Sequence, residues 1–168
     1  MNPSITTRPA TEADVPVLLA LIRELADYEK LSHEVIATEE TLRDTLFGPR
    51  KSAEALIGCV NGIAAGMAIF FQNYSTFLAR PGLHLEDIYV QPVHRGCGLG
   101  KALITAVARI AVERGCGRYE WTVLDWNRPA IEFYESLGAE MKGDWRIMRV
   151  TGAALRKMAD GCARTPEA

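Results

Sequence analysis

The chain has 168 residues, 48% of them hydrophobic and 24% charged, which is typical of a globular domain and excludes a mainly disordered chain. Its 19 Lys and Arg residues against 21 Asp and Glu residues give a formal net charge of −2, which excludes nucleic-acid binding through bulk positive charge. The four cysteines and three histidines show no metal-ligand spacing, and no stretch resembles a signal peptide or membrane span.

We therefore expect a cytoplasmic protein that has no metal site and does not bind a membrane or nucleic acid. No internal repeat and no long Pro- or Ser-rich linker divides the chain. The organisation predicts one domain over residues 1–168, with an ordered core from about residue 5 to residue 159.

The first half of the chain is predicted to contain strands, two helices and a hairpin. Thr11 and Asp14 have the spacing of a capping box ahead of apolar residues at helical intervals, and Thr38 begins a second helix that ends at Gly48. Asn61-Gly62 lies between two apolar runs and predicts a tight β-hairpin, because a type I′ turn requires positive φ at two successive residues. The predicted strands are Ile5–Arg8, Ala53–Val60, Ile63–Phe71 and Leu83–Val90.

The second half predicts a helix from Leu99 to Gly115 and a shorter helix from Ala130 to Leu137. A last helix is predicted from a cap at Thr151 to Met158. The predicted strands of this half are Arg118–Val123, Ala139–Lys142 and Trp145–Val150. Together the elements predict an α/β fold, with a mixed, mostly antiparallel sheet and helices on both faces.

A glycine-rich segment, Arg95 to Lys101, lies between a predicted strand and the helix that follows it. Glycines there let backbone N–H groups turn toward a ligand, and the helix N-terminus favours an anion, so the loop suits a phosphate. A Walker loop is excluded, since the chain has Arg and Ala where that motif needs Gly and Ser or Thr. The dinucleotide-binding pattern G-x-G-x-x-G fits poorly, because the glycines follow as G-x-G-x-G.

The third interpretation is R-x-x-G-x-G, which Arg95, Gly98 and Gly100 satisfy. It resembles the acyl-CoA pyrophosphate loop of the GNAT N-acetyltransferase superfamily, and the order of predicted elements is also similar. Further motifs extend the resemblance over nearly the whole chain and narrow it to the spermidine/spermine and thialysine acetyltransferases. They are Tyr28-Glu29, Thr38, Phe70-x-x-x-Tyr74-Ser75-Thr76, Leu85–Val90, Trp126–Ile131, Phe133-Tyr134, Gly138-Ala139 and Trp145-Arg146. The Tyr74–Thr76 and Leu85–Val90 segments are closer to the thialysine branch.

The resemblance implies a GNAT domain whose sheet splays near Glu86–Val90 to admit acetyl-CoA. It implies an enzyme that moves the acetyl group directly to a primary amine of a small cationic substrate, a polyamine or diamine or a thialysine- or lysine-like molecule. It also implies a homodimer with the substrate pocket built across the interface. Two alternatives stay open at this point: an acetyltransferase for protein or peptide amines, and an acyl-CoA-binding module without catalysis.

Glu86 and Tyr134 are the predicted catalytic residues. An aliphatic amine with a pKa of about 10.4 must lose a proton before it attacks a thioester, so a proton acceptor is needed. Glu86 stands beside Asp87 in an apolar strand, where adjacent carboxylates are costly unless used or paired. An ion pair with Lys or Arg is an equally good explanation from the residues alone, and the resemblance favours contact with the amine through a water. Strand alternation predicts that Asp87 faces the opposite side, in a structural or electrostatic role.

Tyr134 lies on the apolar side of its predicted helix, where a tyrosine is usually part of the core. The resemblance instead gives it the role of general acid toward the departing thiolate. Asn127 is a typical helix cap ahead of Pro129, and the resemblance adds a contact with the pantetheine arm. Cys97 is not expected to act as a nucleophile, because direct transfer needs no acyl-enzyme.

The resemblance also supplies the remaining site residues. Backbone groups of Ile88 and Val90 are expected to hold the acetyl donor, with the Val90 N–H as an oxyanion donor. The expected contacts of acetyl-CoA are Ile88, Tyr89, Val90, Arg95, Gly96, Cys97, Gly98, Leu99, Gly100, Lys101, Asn127, Pro129, Ala130 and Tyr134. The expected contacts of the amine are Tyr28, Glu29, Glu86, Glu120, Trp121 and Thr122. From the residues alone, Glu29 and Glu120 are equally well explained as solvated surface charges.

Overall fold

The computed structural model describes residues 3–162, which form five strands and five α-helices in two compact units divided after Thr122. The strands are β1 (Ile5–Pro9), β2 (Glu54–Val60), β3 (Ile63–Ser75), β4 (Arg80–Val90) and β5 (Arg118–Trp121). The helices are α1 (Val15–Glu29), α2 (Glu39–Phe47), α3 (Leu99–Glu113), α4 (Arg128–Ser136) and α5 (Gly152–Cys162). No helix within residues 3–162 is long and apolar enough to cross a membrane.

The sheet follows the order β1-β2-β3-β4-β5, with antiparallel pairing from β1 to β4 and parallel pairing between β4 and β5. This confirms the predicted mixed, mostly antiparallel sheet. Asn61 and Gly62 have φ values of 52° and 82°, as a type I′ hairpin requires. Among residues 3–162, β5 pairs with Gly82–Leu85 and no strand pairs with the same side of the second half of β4, which is therefore the open side of this strand.

Apolar side chains cover both faces of the sheet. Leu18 and Leu21 of α1 and Leu46 of α2 are buried in one cluster with Met67 and Ile69 of β3. Each such side chain contributes about 1.5–3 kcal/mol on burial, so this layer holds α1 firmly against β3 and β4.

The opposite face is covered by α3, whose Leu99 and Leu103 are almost completely buried. Gly58 of β2 permits the close approach, because a Cβ at that position would lie 2.8 Å from Leu99 Cδ1 and 3.1 Å from Leu103 Cδ1. Close packing fixes the first turn of α3, and with it the glycine loop, relative to β4.

The predicted capping box between Thr11 and Asp14 forms, although a 3-10 turn precedes the α-helix, which begins at Val15. Asp14 also accepts hydrogen bonds of 2.7 and 2.6 Å from the two terminal nitrogens of Arg8. The Arg8 guanidinium holds the pKa of the Asp14 carboxyl well below its usual range. The start of α1 is therefore attached to β1 through this ion pair.

The predicted strands Ala139–Lys142 and Trp145–Val150 are wrong, since neither segment is extended into a strand. The alternation of apolar and polar side chains over residues 145–150 is typical of a strand. A strand also needs a neighbouring segment that forms hydrogen bonds with its backbone groups. Within residues 3–162 no segment pairs with it, and Trp145 and Met148 are 79% and 91% exposed. By contrast, β3 continues beyond its apolar part to Ser75, because β4 supplies the backbone partners.

Candidate active site

A β-bulge lies in the middle of β4 at the first predicted catalytic residue. Ile69 of β3 pairs with Asp87, whereas the next residue, Phe70, pairs with Leu85. Glu86 is therefore the additional residue on β4, and the alternation of side chains is interrupted there.

Because of the bulge, Glu86 and Asp87 lie on the same face of the sheet. The Glu86 carboxylate is 3.9 Å from Nε2 of His84, and the His84 ring packs on Phe71 with centroids 5.1 Å apart. Asp87 pairs with Ile69, which is two residues from Phe71 and so shares its face, the one covered by α1. The prediction that Asp87 faces away from Glu86 is wrong, since it assumed a regular strand.

The Asp87 carboxyl has a perturbed pKa. Burial, and after it the negative charges of Glu86 and Glu29, together raise the pKa of Asp87 to about 6. Burial also raises the pKa of Glu29, the last residue of α1. Among the described residues no Lys or Arg nitrogen lies within 4 Å of Glu86 or Asp87. The ion pair that could have explained two adjacent carboxylates is therefore not formed in this part of the chain.

The predicted contacts on β5 separate into two groups. Glu120 pairs with His84 and so lies on the same face, but its carboxylate accepts a 2.7 Å hydrogen bond from Asn73 and is 3.3 Å from Arg118. Trp121 lies on the other face, where its ring is 5.0 Å from that of Tyr119. Thr122 follows the end of β5 and is exposed. Glu120 is thus engaged by neighbours, and the Trp121 side chain does not join the carboxylates.

The glycine loop has the backbone that its sequence predicts. Gly96 and Gly98 have φ values of 75° and 97°, conformations that an L side chain rarely adopts, and Gly98 is the N-cap of α3. The first N–H groups of a helix have no partner within the helix, so the amides at the start of α3 are available to an anion. Cys97 donates its S–H to the His94 carbonyl at 3.0 Å and takes a structural place in the loop.

Alternate backbone groups of β4 point to its open side. The Gln91 N–H donates to the Ala65 carbonyl at 2.9 Å, which makes Gly66 and Val90 a non-hydrogen-bonded pair of the ladder. The backbone N–H groups of Val90 and Ile88 therefore point away from β3. Since β5 does not extend along this half of β4, these groups face the side where the sheet diverges. Tyr89, one position between them, is buried on the α1 face.

Arg95 and Lys101, the two cationic residues of the loop, have different surroundings. The Arg95 guanidinium lies over the ring of Tyr28 at 4.9 Å and over that of Tyr89 at 5.7 Å, and Arg95 Nε donates to the Val90 carbonyl at 3.0 Å. Lys101 lines a groove of about 460 Å³ between β1 and α3, together with Thr105. The groove lined by Lys101 also reaches Gly98 of the loop.

Asn127 and Tyr134 belong to the unit that begins at Val123. Asn127 is the N-cap of α4, as predicted, and its side-chain oxygen accepts a 3.4 Å hydrogen bond from the Ala130 N–H. Tyr134 is half-buried two residues before the end of α4, and its ring is 5.5 Å from that of Phe133. Ile131 is the buried residue of this helix, and Tyr134 is more exposed than Ile131.

Comparison with known proteins identifies the family. The sequence profile of the Acetyltransferase (GNAT) family matches residues 20–139. The chain belongs to the GNAT acetyltransferases. A thialysine N-epsilon-acetyltransferase of Sus scrofa is 38% identical over 93% of this chain and 98% of its own length. An L-ornithine N5-acetyltransferase of Arabidopsis thaliana is 34% identical over 89% of this chain and 85% of its own.

A solved structure supports the same fold. The ribosomal-protein-alanine N-acetyltransferase of Brucella melitensis has a TM-score of 0.71 at 23% identity, over 89% of this chain and all of that one. These findings confirm the resemblance to the thialysine acetyltransferases and the prediction of an N-acetyltransferase that acts on amines. GNAT acetyltransferases use acetyl-CoA as their co-substrate. Among residues 3–162 no group of three His, Cys, Asp or Glu side chains could hold a metal ion.

Two features of this GNAT site were not found from sequence. The first is the position of Asp87 beside Glu86, which depends on a bulge that no local pattern marks. The second is the contact of Arg95 with Tyr28, because these residues are far apart in the chain and lie in separate elements. The nearest sequence signal for the first was the adjacent pair of carboxylates itself.

Proposed function

We propose that this GNAT acetyltransferase moves the acetyl group of acetyl-CoA to the primary amine of a small cationic substrate, a polyamine or diamine or a thialysine- or lysine-like molecule. The observation that carries the proposal is the acidic face formed by Glu29, Glu86 and Asp87 next to the open half of β4. A substrate with a second ammonium group gains binding energy from such a face, whereas a neutral amine gains little. The names of the Sus scrofa and Arabidopsis thaliana relatives, which refer to thialysine and ornithine, favour the same class of amine.

Glu86 and Asp87 act together on the proton of the amine. An ammonium group of pKa about 10.4 is attracted by the two carboxylates and transfers its proton to Glu86 directly or through a water. The pKa of Asp87, although raised to about 6, is still below 7, so this second carboxylate is mostly ionised at pH 7 and becomes protonated in mild acid. The neutral amine nitrogen then forms a bond with the thioester carbonyl carbon. As the carbon–sulfur bond breaks, the nitrogen releases a second proton to solvent, which balances the proton that the departing thiolate takes up.

The acetyl donor is held mainly by backbone groups. Amides of the glycine loop at the start of α3 bind its pyrophosphate, and the N–H groups of Ile88 and Val90 on the open side of β4 bind the pantetheine arm. The Val90 N–H, which points away from β3, donates to the carbonyl oxygen as its negative charge develops. The Tyr89 side chain is buried on the face covered by α1, so only the backbone of Tyr89 contacts the acetyl donor.

The residues of α4 complete the reaction. Tyr134 supplies a proton to the departing thiolate from its phenol, and Asn127 contacts the pantetheine arm while it caps the helix. The half-buried position of Tyr134 supports this role, because a phenol enclosed in a core has no access to substrate. A phenol with a pKa of about 10 can protonate a thiolate whose thiol has a pKa near 8.5 only where the surroundings assist it.

The protein is further proposed to act as a homodimer. The segment 145–150 has the alternation of a strand, finds no partner among residues 3–162, and exposes Trp145, Ile147 and Met148 by 79%, 66% and 91%. Apolar side chains exposed together in this way are typical of an interface. A second copy of the chain would supply the missing strand partner and cover them.

The test of the proposed function is acetyl-CoA-dependent transfer to spermidine and thialysine by the purified protein and by Glu86→Gln. The substitution keeps the shape of the side chain and removes its charge, so kcat is expected to fall by about 100-fold, as for loss of a general base. Glu113→Gln, at the exposed end of α3, is the matched control and is expected to keep wild-type rates. Absence of transfer to any amine by the wild-type protein would refute the proposal.

A further inference from the structure

The side chain of Arg95 is attached to two other elements of the sheet unit. Its Nε donates to the carbonyl at the end of β4, 3.0 Å away, and its guanidinium lies 4.9 Å from the centre of the Tyr28 ring. A planar guanidinium that stacks on an aromatic ring while one nitrogen is hydrogen-bonded has a fixed orientation. The first residue of the glycine loop is thereby linked to the last turn of α1.

A second link joins the same two elements one turn earlier in α1. The side-chain amide of Gln91 donates to both carboxylate oxygens of Glu24, at 3.0 and 3.3 Å. Tyr89 lies between the two links, and the Arg95 guanidinium is 5.7 Å from its ring. Arg95 and Gln91 therefore connect the end of β4 to α1 at successive turns of the helix.

The end of α1 also carries one of the charges of the acidic face. Glu29 follows Tyr28 directly, and its negative charge is among those that raise the pKa of Asp87. Displacement of the last turn of α1 would move Glu29 relative to Asp87 and Glu86. The contact between Arg95 and Tyr28 thus connects the loop for the acetyl donor to the helix end that carries Glu29.

We propose that Arg95 is a positioning residue for amine recognition: through Tyr28 it holds the end of α1, and with it Glu29, in place beside the carboxylates of β4. This inference rests on the proposed function for the identity of the amine. It differs from the expectation that Arg95 serves only the pyrophosphate of the acetyl donor. In that case its loss would weaken the use of acetyl-CoA and leave the use of amine unchanged.

The experiment measures the KM of spermidine and of thialysine at saturating acetyl-CoA, and separately the KM of acetyl-CoA, in wild type, Arg95→Gln and Tyr28→Leu. Each substitution is expected to raise the amine KM about tenfold. The amine KM of the double variant is expected to be less than threefold above that of either single variant, because the two substitutions remove the same contact. Tyr28→Phe keeps the ring and is expected to recover most of the wild-type amine KM, whereas Arg95→Lys keeps the charge but loses the planar group and the Nε hydrogen bond and is expected to recover it only in part. Arg109→Gln, an exposed residue on α3, is the matched control and is expected to change neither KM more than twofold.

An Arg95→Gln enzyme whose amine KM stays within twofold of wild type, while the acetyl-CoA KM rises, would overturn the proposal. Additive effects of Arg95→Gln and Tyr28→Leu on the amine KM would also overturn it. A wild-type protein that transfers acetyl to no amine would instead refute the proposed function. Urea unfolding then tests the contact without turnover. In a cycle of wild type, Arg95→Gln, Tyr28→Leu and the double variant, the effects of the two substitutions on the unfolding constant are expected to be coupled by about two- to fivefold. Additive effects would contradict the contact.

Discussion

The charge of Asp87 is expected to destabilise the folded protein at neutral pH. Raising the pKa of this carboxyl from 3.8 to about 6 costs the ionised form about 3 kcal/mol relative to the unfolded chain. Because the folded protein holds the proton more tightly, this cost is absent below about pH 4, grows between pH 4 and 6, and is constant above that. Asp87→Asn removes the charge and keeps the shape, so the variant is expected to be more stable than wild type by up to about 3 kcal/mol at pH 7.5.

Urea unfolding of wild type and Asp87→Asn, followed by tryptophan fluorescence at steps from pH 4 to 7.5, measures this difference. The free-energy gain of the variant is expected to increase through pH 4 to 6 and then level off. Asp125→Asn, at an exposed position, is the matched control and is expected to give no such profile. A gain that does not change with pH, or a loss of stability at pH 7.5, would refute the reasoning. The same variant is expected to lose activity, since stability and function conflict at this carboxylate.

Four further outcomes follow from other contacts. Tyr134→Phe is expected to lower kcat about 100-fold or more and to leave the Kd of CoA, measured by calorimetry, within about threefold. Gly58→Val is expected to cost about 2 kcal/mol in urea unfolding, since its side chain would overlap Leu99. Asp14→Asn is expected to destabilise by about 1–2 kcal/mol at pH 7, and the deficit shrinks as the pH falls below about 4, because the unfolded wild-type chain then binds a proton at this carboxyl while the folded protein keeps it ionised. Trp145→Glu is expected to convert a dimer into a monomer near 18.5 kDa in light scattering.

Most of the fold follows from local patterns in the sequence. The apolar spacing of α1 and α3, the Asn61-Gly62 turn and the caps at Thr38 and Asn127 act through neighbours in the chain, and each lies where the sequence predicts it. The prediction of two strands within residues 139–150 is wrong because strands depend on more than local patterns. Pairing of a strand depends on a partner segment, which alternation alone does not supply.

The same distinction between local patterns and contacts of distant segments applies to the candidate site. The glycine loop and the carboxylates of β4 could be found in the sequence, because phosphate binding and proton transfer need particular residue types at close spacing. The common face of Glu86 and Asp87 could not, since it depends on how β3 and β4 pair around a bulge. The engagement of Glu120 by Asn73 likewise depends on the distance between β3 and β5, which no single segment encodes.

The most direct test of the proposed function is a comparison of amine substrates at one fixed concentration of acetyl-CoA. Initial rates are measured with spermidine, putrescine, thialysine, ornithine, lysine and a lysine-containing peptide. The acidic face of Glu29, Glu86 and Asp87 predicts that at least one of the small cationic amines exceeds the peptide in kcat/KM by tenfold or more, a difference of about 1.4 kcal/mol in transition-state binding. A peptide that exceeds every small amine by tenfold would contradict this and identify an acetyltransferase for protein amines.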